Sequence, residues 1–192
     1  MSCQTLHIVC GTPGAGKSTY GRTLARQRGA LLLDLDTASE PVVRAGLTLA
    51  GLDPDDRDSP TYKQAFREPI YAALLAIASE NLDHLSVVIV GPFTRELRDP
   101  DWPTQLSQQL NAPVELHYLH CDRQERYRRL VARGNPRDRA KLADWENFLR
   151  YYGDETPPAG PHHWIDTSLA GSATDSQMPI PCTARVSPGS GG

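Results

Sequence analysis

Gly11-Thr12-Pro13-Gly14-Ala15-Gly16-Lys17-Ser18-Thr19 is the stretch whose reading decides the fold. It satisfies the spacing G-x-x-x-x-G-K-[ST] at Gly11, Gly16, Lys17 and Ser18. An apolar run, Leu6–Cys10, precedes it, and a segment of helical character, Lys17–Arg28, follows. Strand, loop and helix in that order form the setting in which this spacing cradles phosphate. The glycines let successive backbone N–H groups turn inward toward phosphate oxygens. The helix adds the positive end of its dipole. Lys17 supplies a cation for the β- and γ-phosphates, and the Ser18 hydroxyl is placed to ligate Mg²⁺. All nine residues are therefore expected to hold a nucleoside triphosphate.

Working outward, four more short apolar runs recur at Leu31–Asp36, Val87–Val90, Val114–Cys121 and Trp164–Asp166. Leu31-Leu32-Leu33 and Val87-Val88-Ile89-Val90 read as strands buried on both faces. The stretches between them are long enough for crossover helices, which predicts a parallel sheet. Helices are expected at Lys17–Arg28, Thr61–Leu82, Trp102–Leu110, Arg123–Arg133 and Arg137–Tyr152. Phe66, Ile70, Leu74, Ile77 and Ala78 share one face of the second of these. Pro41–Ser59 reads as a loop. Residues 1–169 form one domain on this reading. From Ala170 to Gly192 the chain is rich in Gly, Ser, Pro and Thr, which predicts a disordered tail, and deleting Ser172–Gly192 is expected to leave melting temperature and ATP affinity nearly unchanged. An apolar strip left uncovered beside the first and fifth strands would favour a homodimer.

The second apolar run ends in Asp34-Leu35-Asp36. Period two along this strand puts the two carboxylates on one side, at the carboxyl end where open α/β sheets bind ligands. One can hold Mg²⁺ through water and the other can deprotonate an acceptor hydroxyl. A helix N-cap at the strand exit is the competing structural reading. His117 and His120, three apart on a strand, face opposite sides and do not share a metal.

Bulk properties narrow the field. With 192 residues and 39% hydrophobic content the chain suits one packed α/β domain. A net charge of −3 gives no global attraction to nucleic acid or anionic membrane. Cys3, Cys10, Cys121 and Cys182 form no CxxC pair, and a reducing cytoplasm suits them. No apolar stretch approaches the roughly 20 residues of a membrane span.

The loop Gly11–Thr19 followed by Asp34-x-Asp36 resembles the small P-loop kinases: shikimate and gluconate kinases, chloramphenicol phosphotransferase, zeta-toxin kinases and the kinase domain of polynucleotide kinases. The resemblance covers roughly residues 5–168. It implies a three-layer α/β fold with a five-stranded parallel sheet ordered 2-3-1-4-5, an arginine-rich lid, and ATP with Mg²⁺. Carried over, Asp34 stands on the metal side with Ser18, and Asp36 is the acceptor-side base. Arg129-Leu-Val-Ala-Arg133-Gly-Asn-Pro-Arg137-Asp138 looks like the lid, with Arg133 and Arg137 closing on the transferring phosphoryl and Arg129 on the nucleotide. Gly91-Pro92-Phe93 stands where many relatives carry a metal-binding Asp after the third strand, a departure that argues against motor ATPases and GTPases. The expected activity is transfer of the γ-phosphoryl of ATP to a hydroxyl of a small molecule in the cytoplasm. A nucleoside, nucleotide or nucleic-acid-end kinase, and an ATP-binding regulatory protein with little turnover, remain alternatives.

Overall fold

Leu6, Ile8 and Cys10 pack into one apolar cluster while Val9 packs into another, so the first strand is buried on both faces. This computed structural model describes residues 4–152 and 157–168, and the expected disordered tail at 170–192 lies outside them. Five parallel strands form the sheet: β1 (Leu6–Gly11), β2 (Leu31–Asp34), β3 (Val87–Val90), β4 (Val114–His120) and β5 (His163–Asp166). Their order is β2-β3-β1-β4-β5, as the resemblance implied. The first cluster joins Val87, Ile89, Leu116 and Tyr118 to Tyr71 and Leu74 of α4 (Glu68–Asn81) and Leu106 of α5 (Trp102–Leu110). The second joins Val88, Val90, Leu119 and Ile165 to Tyr20, Leu24 and Ala25 of α1 (Lys17–Arg28). The sheet is thus the middle of three layers.

Register brings the functional segments to one edge. Gly11 pairs with Leu119, and Asp34 pairs with Val90, so the first three strands end together at the phosphate loop, Asp34 and Gly91.

The segment Pro41–Ser59 corrects one expectation. β2 stops at Asp34, and α2 (Leu35–Leu49) follows directly with Pro41 inside it. An interior proline costs a helix about 3 kcal/mol. Val43 and Leu47, one turn apart, are both about 99% buried, and burying two such side chains contributes roughly 3–6 kcal/mol. Burial outweighs the proline. The expected helix Thr61–Leu82 runs as α3 (Pro60–Tyr62), a π-helical turn (Lys63–Arg67) and α4. The expected helix Arg137–Tyr152 is interrupted. A 3₁₀ turn (Pro136–Asp138) leads into α7 (Arg139–Ala143), and α8 (Trp145–Tyr152) begins after Asp144. Asp144 leaves helical geometry, and its carboxylate accepts from Asn147 N–H at 3.3 Å. That local bond competes with helix continuation. α6 (Arg123–Arg133) completes the set.

Candidate active site

The phosphate loop turns sharply out of β1. At Gly11, with φ at 136°, a Cβ would lie 2.4 Å from the Leu119 carbonyl oxygen, so only glycine fits. Gly16 caps α1 with φ at 85° and no side-chain hydrogen bond to the helix's first amides. Those amides are thereby left to an external acceptor, and the loop opens into the cavity described below.

Lys17 donates to the Thr12 carbonyl at 2.9 Å. Burial pushes its ammonium down to about 8, with Asp36 pulling the other way. A lysine so desolvated gains most from an anionic ligand.

Asp34 and Asp36 do not share a strand face, contrary to the alternation expected above. Asp34 ends β2 and caps α2, its Oδ1 accepting from Asp36 N–H at 3.0 Å and Thr37 N–H at 3.2 Å. Asp36 sits in the first turn of α2. Both still line the cavity beside the phosphate loop. The helix that begins at Leu35, rather than strand alternation, aims Asp36.

Arg137 crosses from the opposite wall. It meets Asp36 Oδ2 at 2.5 Å and Glu40 Oε2 at 3.4 Å. Burial disfavours its charge, but Asp36 and Glu40 more than restore it and its pKa is raised. Arg133 pairs with the buried Asp138 at 2.5 Å. Arg129 has a different engagement from the one anticipated. It donates to the Thr167 carbonyl at 2.6 Å and the Gly14 carbonyl at 3.5 Å, and pairs with Glu125 at 2.8 Å. It ties the loop to the end of β5. Thr167 reinforces the tie through its Oγ1, 3.0 Å from the Ala15 carbonyl.

These groups line one cavity of about 1560 Å³. Sequence reasoning missed much of its wall. Arg57 pairs with Glu40 at 2.9 Å and Lys141 with Asp58 at 2.8 Å. Arg57, Asp58 and Lys141 carry no motif, and only the folding of α2 and the 53–59 turn against α7 brings them together. Thr167 was equally invisible.

Residues 6–155 match the family profile described as AAA domain. The chain belongs to the AAA domain family. It is 36% identical over 91 residues to shikimate kinase of Thermobifida fusca (strain YX), a match covering 47% of each chain. It therefore spans about half the length of that relative. It is 27% identical over 158 residues to adenylate kinase of Synechococcus sp. (strain RCC307), covering 81% of this chain and 82% of that one. A crystal structure from Chloroflexus aurantiacus superposes with a TM-score of 0.65 at 20% identity over 91% of both chains, a likeness of fold.

In this AAA domain the cavity wall is predominantly cationic. Eleven Lys or Arg residues line it against five Asp or Glu. Lys17 and Arg129 lie with the phosphate loop. Arg57, Lys63, Arg67, Arg95 and Arg98 stand on the segments after α2 and β3. No described helix is long and apolar enough to cross a membrane.

Proposed function

We propose that this AAA domain is an ATP- and Mg²⁺-dependent phosphotransferase that moves the γ-phosphoryl of ATP to a hydroxyl of a small anionic molecule. The observation that carries this reading is the single cavity lined by the phosphate loop, Asp34, Asp36, Arg133 and Arg137. Residues 12–19 and the α1 amides hold the triphosphate, and Lys17 takes the β- and γ-oxygens. The Ser18 hydroxyl and the Asp34 carboxylate are hard oxygen donors of the kind Mg²⁺ takes, and both line this cavity. Bound there, Mg²⁺ would neutralise charge on the β- and γ-phosphates. Asp36 accepts the proton of the acceptor hydroxyl as its oxygen bonds to the γ-phosphorus and the bond to the ADP oxygen breaks. Arg137, already against Asp36, and Arg133 lie where charge on the transferring group develops.

The acceptor's charge follows from the wall. Arg57, Lys63, Arg67, Arg95 and Arg98 suit a carboxylate or phosphate on the acceptor, which would share or displace the Glu40, Glu96 and Glu68 carboxylates that Arg57, Arg67 and Arg95 meet in the free protein. The shikimate kinase match supports a hydroxyl acceptor. The adenylate kinase match favours a second reading, a nucleotide whose phosphate is the acceptor. ADP release is measured with ATP and Mg²⁺ against a panel of hydroxyacids, sugar acids and nucleoside monophosphates, with Lys17→Ala as control. Acceptor-stimulated ADP release that the control lacks supports the phosphotransferase, and the stimulating compound separates the two acceptors. Tight ATP binding with no stimulated release across the panel, and turnover by the control equal to wild type, would each count against it.

A further inference from the structure

A second group of reactive side chains lies away from the phosphate cavity. His7 is near the start of β1, four residues before Gly11, or about 13 Å along the strand. Its Nδ1 lies 3.1 Å from His117 Nε2 on β4 and 3.3 Å from Glu115 Oε2. His117 Nε2 lies 3.7 Å from the same Glu115 oxygen. β1 and β4 are neighbours, with His7 paired to Glu115 and Val9 to His117. The parallel register, not a sequence motif, makes these three atoms converge.

The distances have a definite meaning. In a tetrahedral zinc site with bonds of about 2.0–2.1 Å, ligand atoms stand about 3.3–3.4 Å apart. A triangle with the observed sides has a circumradius of about 2.0 Å. An ion about 2.1 Å from all three donors would then sit roughly 0.7 Å out of their plane, which is the displacement a tetrahedral centre requires.

The surroundings also suit an ion. His7 and His117 are about 96% buried at the side chain, whereas Glu115 is 41% exposed and leaves a route to solvent. The Tyr20 hydroxyl on α1 lies 3.0 Å from His117 Nδ1. With Nδ1–H donating to that oxygen, the Nε2 lone pair is turned toward His7 and Glu115, the outer-shell arrangement that fixes a ligating imidazole. His163 on β5 stacks on His117 at 4.9 Å, and its Nε2 stands 3.7 Å from Glu115 Oε2.

We infer that His7, Glu115 and His117 form a binding site for a divalent transition-metal ion, zinc by preference, which staples β1 to β4 on the α1 side of the sheet. Two imidazoles and one carboxylate leave a fourth position for water. Nitrogen donors select zinc over the magnesium that serves phosphate chemistry. Tyr20 is a positioning residue. The site is independent of the reaction proposed above.

The test uses the full chain with no histidine tag, stripped with chelator and titrated with Zn²⁺. One Zn²⁺ per chain is expected by elemental analysis, unaffected by a hundredfold excess of Mg²⁺. At about 100 times its dissociation constant, Zn²⁺ should raise the melting temperature by roughly 5–10 °C. Co²⁺ in its place should give the intense visible absorption of a tetrahedral ion. Glu115→Gln, at a half-exposed position, should weaken Zn²⁺ binding at least tenfold. Tyr20→Phe should weaken it about 10–100-fold. His162→Ala should leave it unchanged, since His162 Nδ1 is 2.9 Å from the Gly160 carbonyl. Folding of each variant is checked by circular dichroism. Absence of stoichiometric Zn²⁺, wild-type affinity in Glu115→Gln, or a weak octahedral Co²⁺ spectrum would each overturn the site.

Discussion

Lys17 and Asp36 carry the chemistry at the scale of single residues. Lys17 is desolvated at its ammonium, with its pKa brought down to about 8. Bound phosphates favour the ammonium, so the complex holds a proton that the free protein loses above that pH. ATP affinity should therefore be steady below pH 8 and fall by up to tenfold per unit above it. Calorimetry in buffers of different ionisation heat should show net proton uptake on binding at pH 9; affinity flat from pH 7 to 10 would contradict the burial argument. Asp36 already holds Arg137 at 2.5 Å. Asp36→Asn should lower kcat about 10²–10⁴-fold with ATP affinity nearly unchanged, because a general base acts in the transition state. Steady-state kinetics beside equilibrium ATP binding separates the two quantities.

Two elements make opposite trades. α2 accepts Pro41 in its interior because Val43 and Leu47 are buried beneath it. Pro41→Ala restores a helical N–H without disturbing those contacts. It should stabilise the fold by about 1–3 kcal/mol in urea denaturation. A loss of stability would show that the proline is required for the path of the helix. The arginine-bearing segment from α6 to α7 spends its charge on protein partners, Arg133 on Asp138 and Arg137 on Asp36 and Glu40. Arg137→Ala should reduce kcat about 10²–10³-fold and ATP affinity much less, as for a donor aimed at developing charge. If affinity and kcat/KM fell together with kcat unchanged, Arg137 would be serving ground-state binding alone.

At the scale of the molecule, ion pairs between separate segments of the chain brace the wall of the cavity. Lys141 on α7 reaches Asp58 at 2.8 Å, and Arg57 reaches Glu40 at 2.9 Å. Lys141 is 9% exposed at its side chain and Asp58 38%, so the pair lies between the surface and buried regimes. Asp58→Asn should cost about 1–2 kcal/mol, lowering the melting temperature by roughly 2–8 °C. A scanning calorimeter reads this directly, and an unchanged transition would mean that α7 is held by its apolar contacts instead.

The strand–loop–helix at Leu6–Arg28, the five strands and their parallel direction could be read from the sequence because their signals are local, whereas the strand order came from the family resemblance. Buried strands are apolar runs, a phosphate loop needs glycine at fixed spacing, and α1, α5 and α6 carry their caps and periodicity within themselves. Reading failed where a local signal was outvoted by distant contacts. Pro41–Ser59 looked like a loop until Val43 and Leu47 found a core, and for Asp34 and Asp36 the shared strand face gave way to the competing N-cap reading. The pairing of Arg137 with Asp36, the tie from Arg129 and Thr167 to the phosphate loop, and the convergence of His7, Glu115 and His117 have no local signature. Their partners stand roughly 40 to 150 residues apart in sequence. Only the register of β4 against β1 and the placing of the 123–143 segment beside the phosphate loop and α2 bring them within bonding distance.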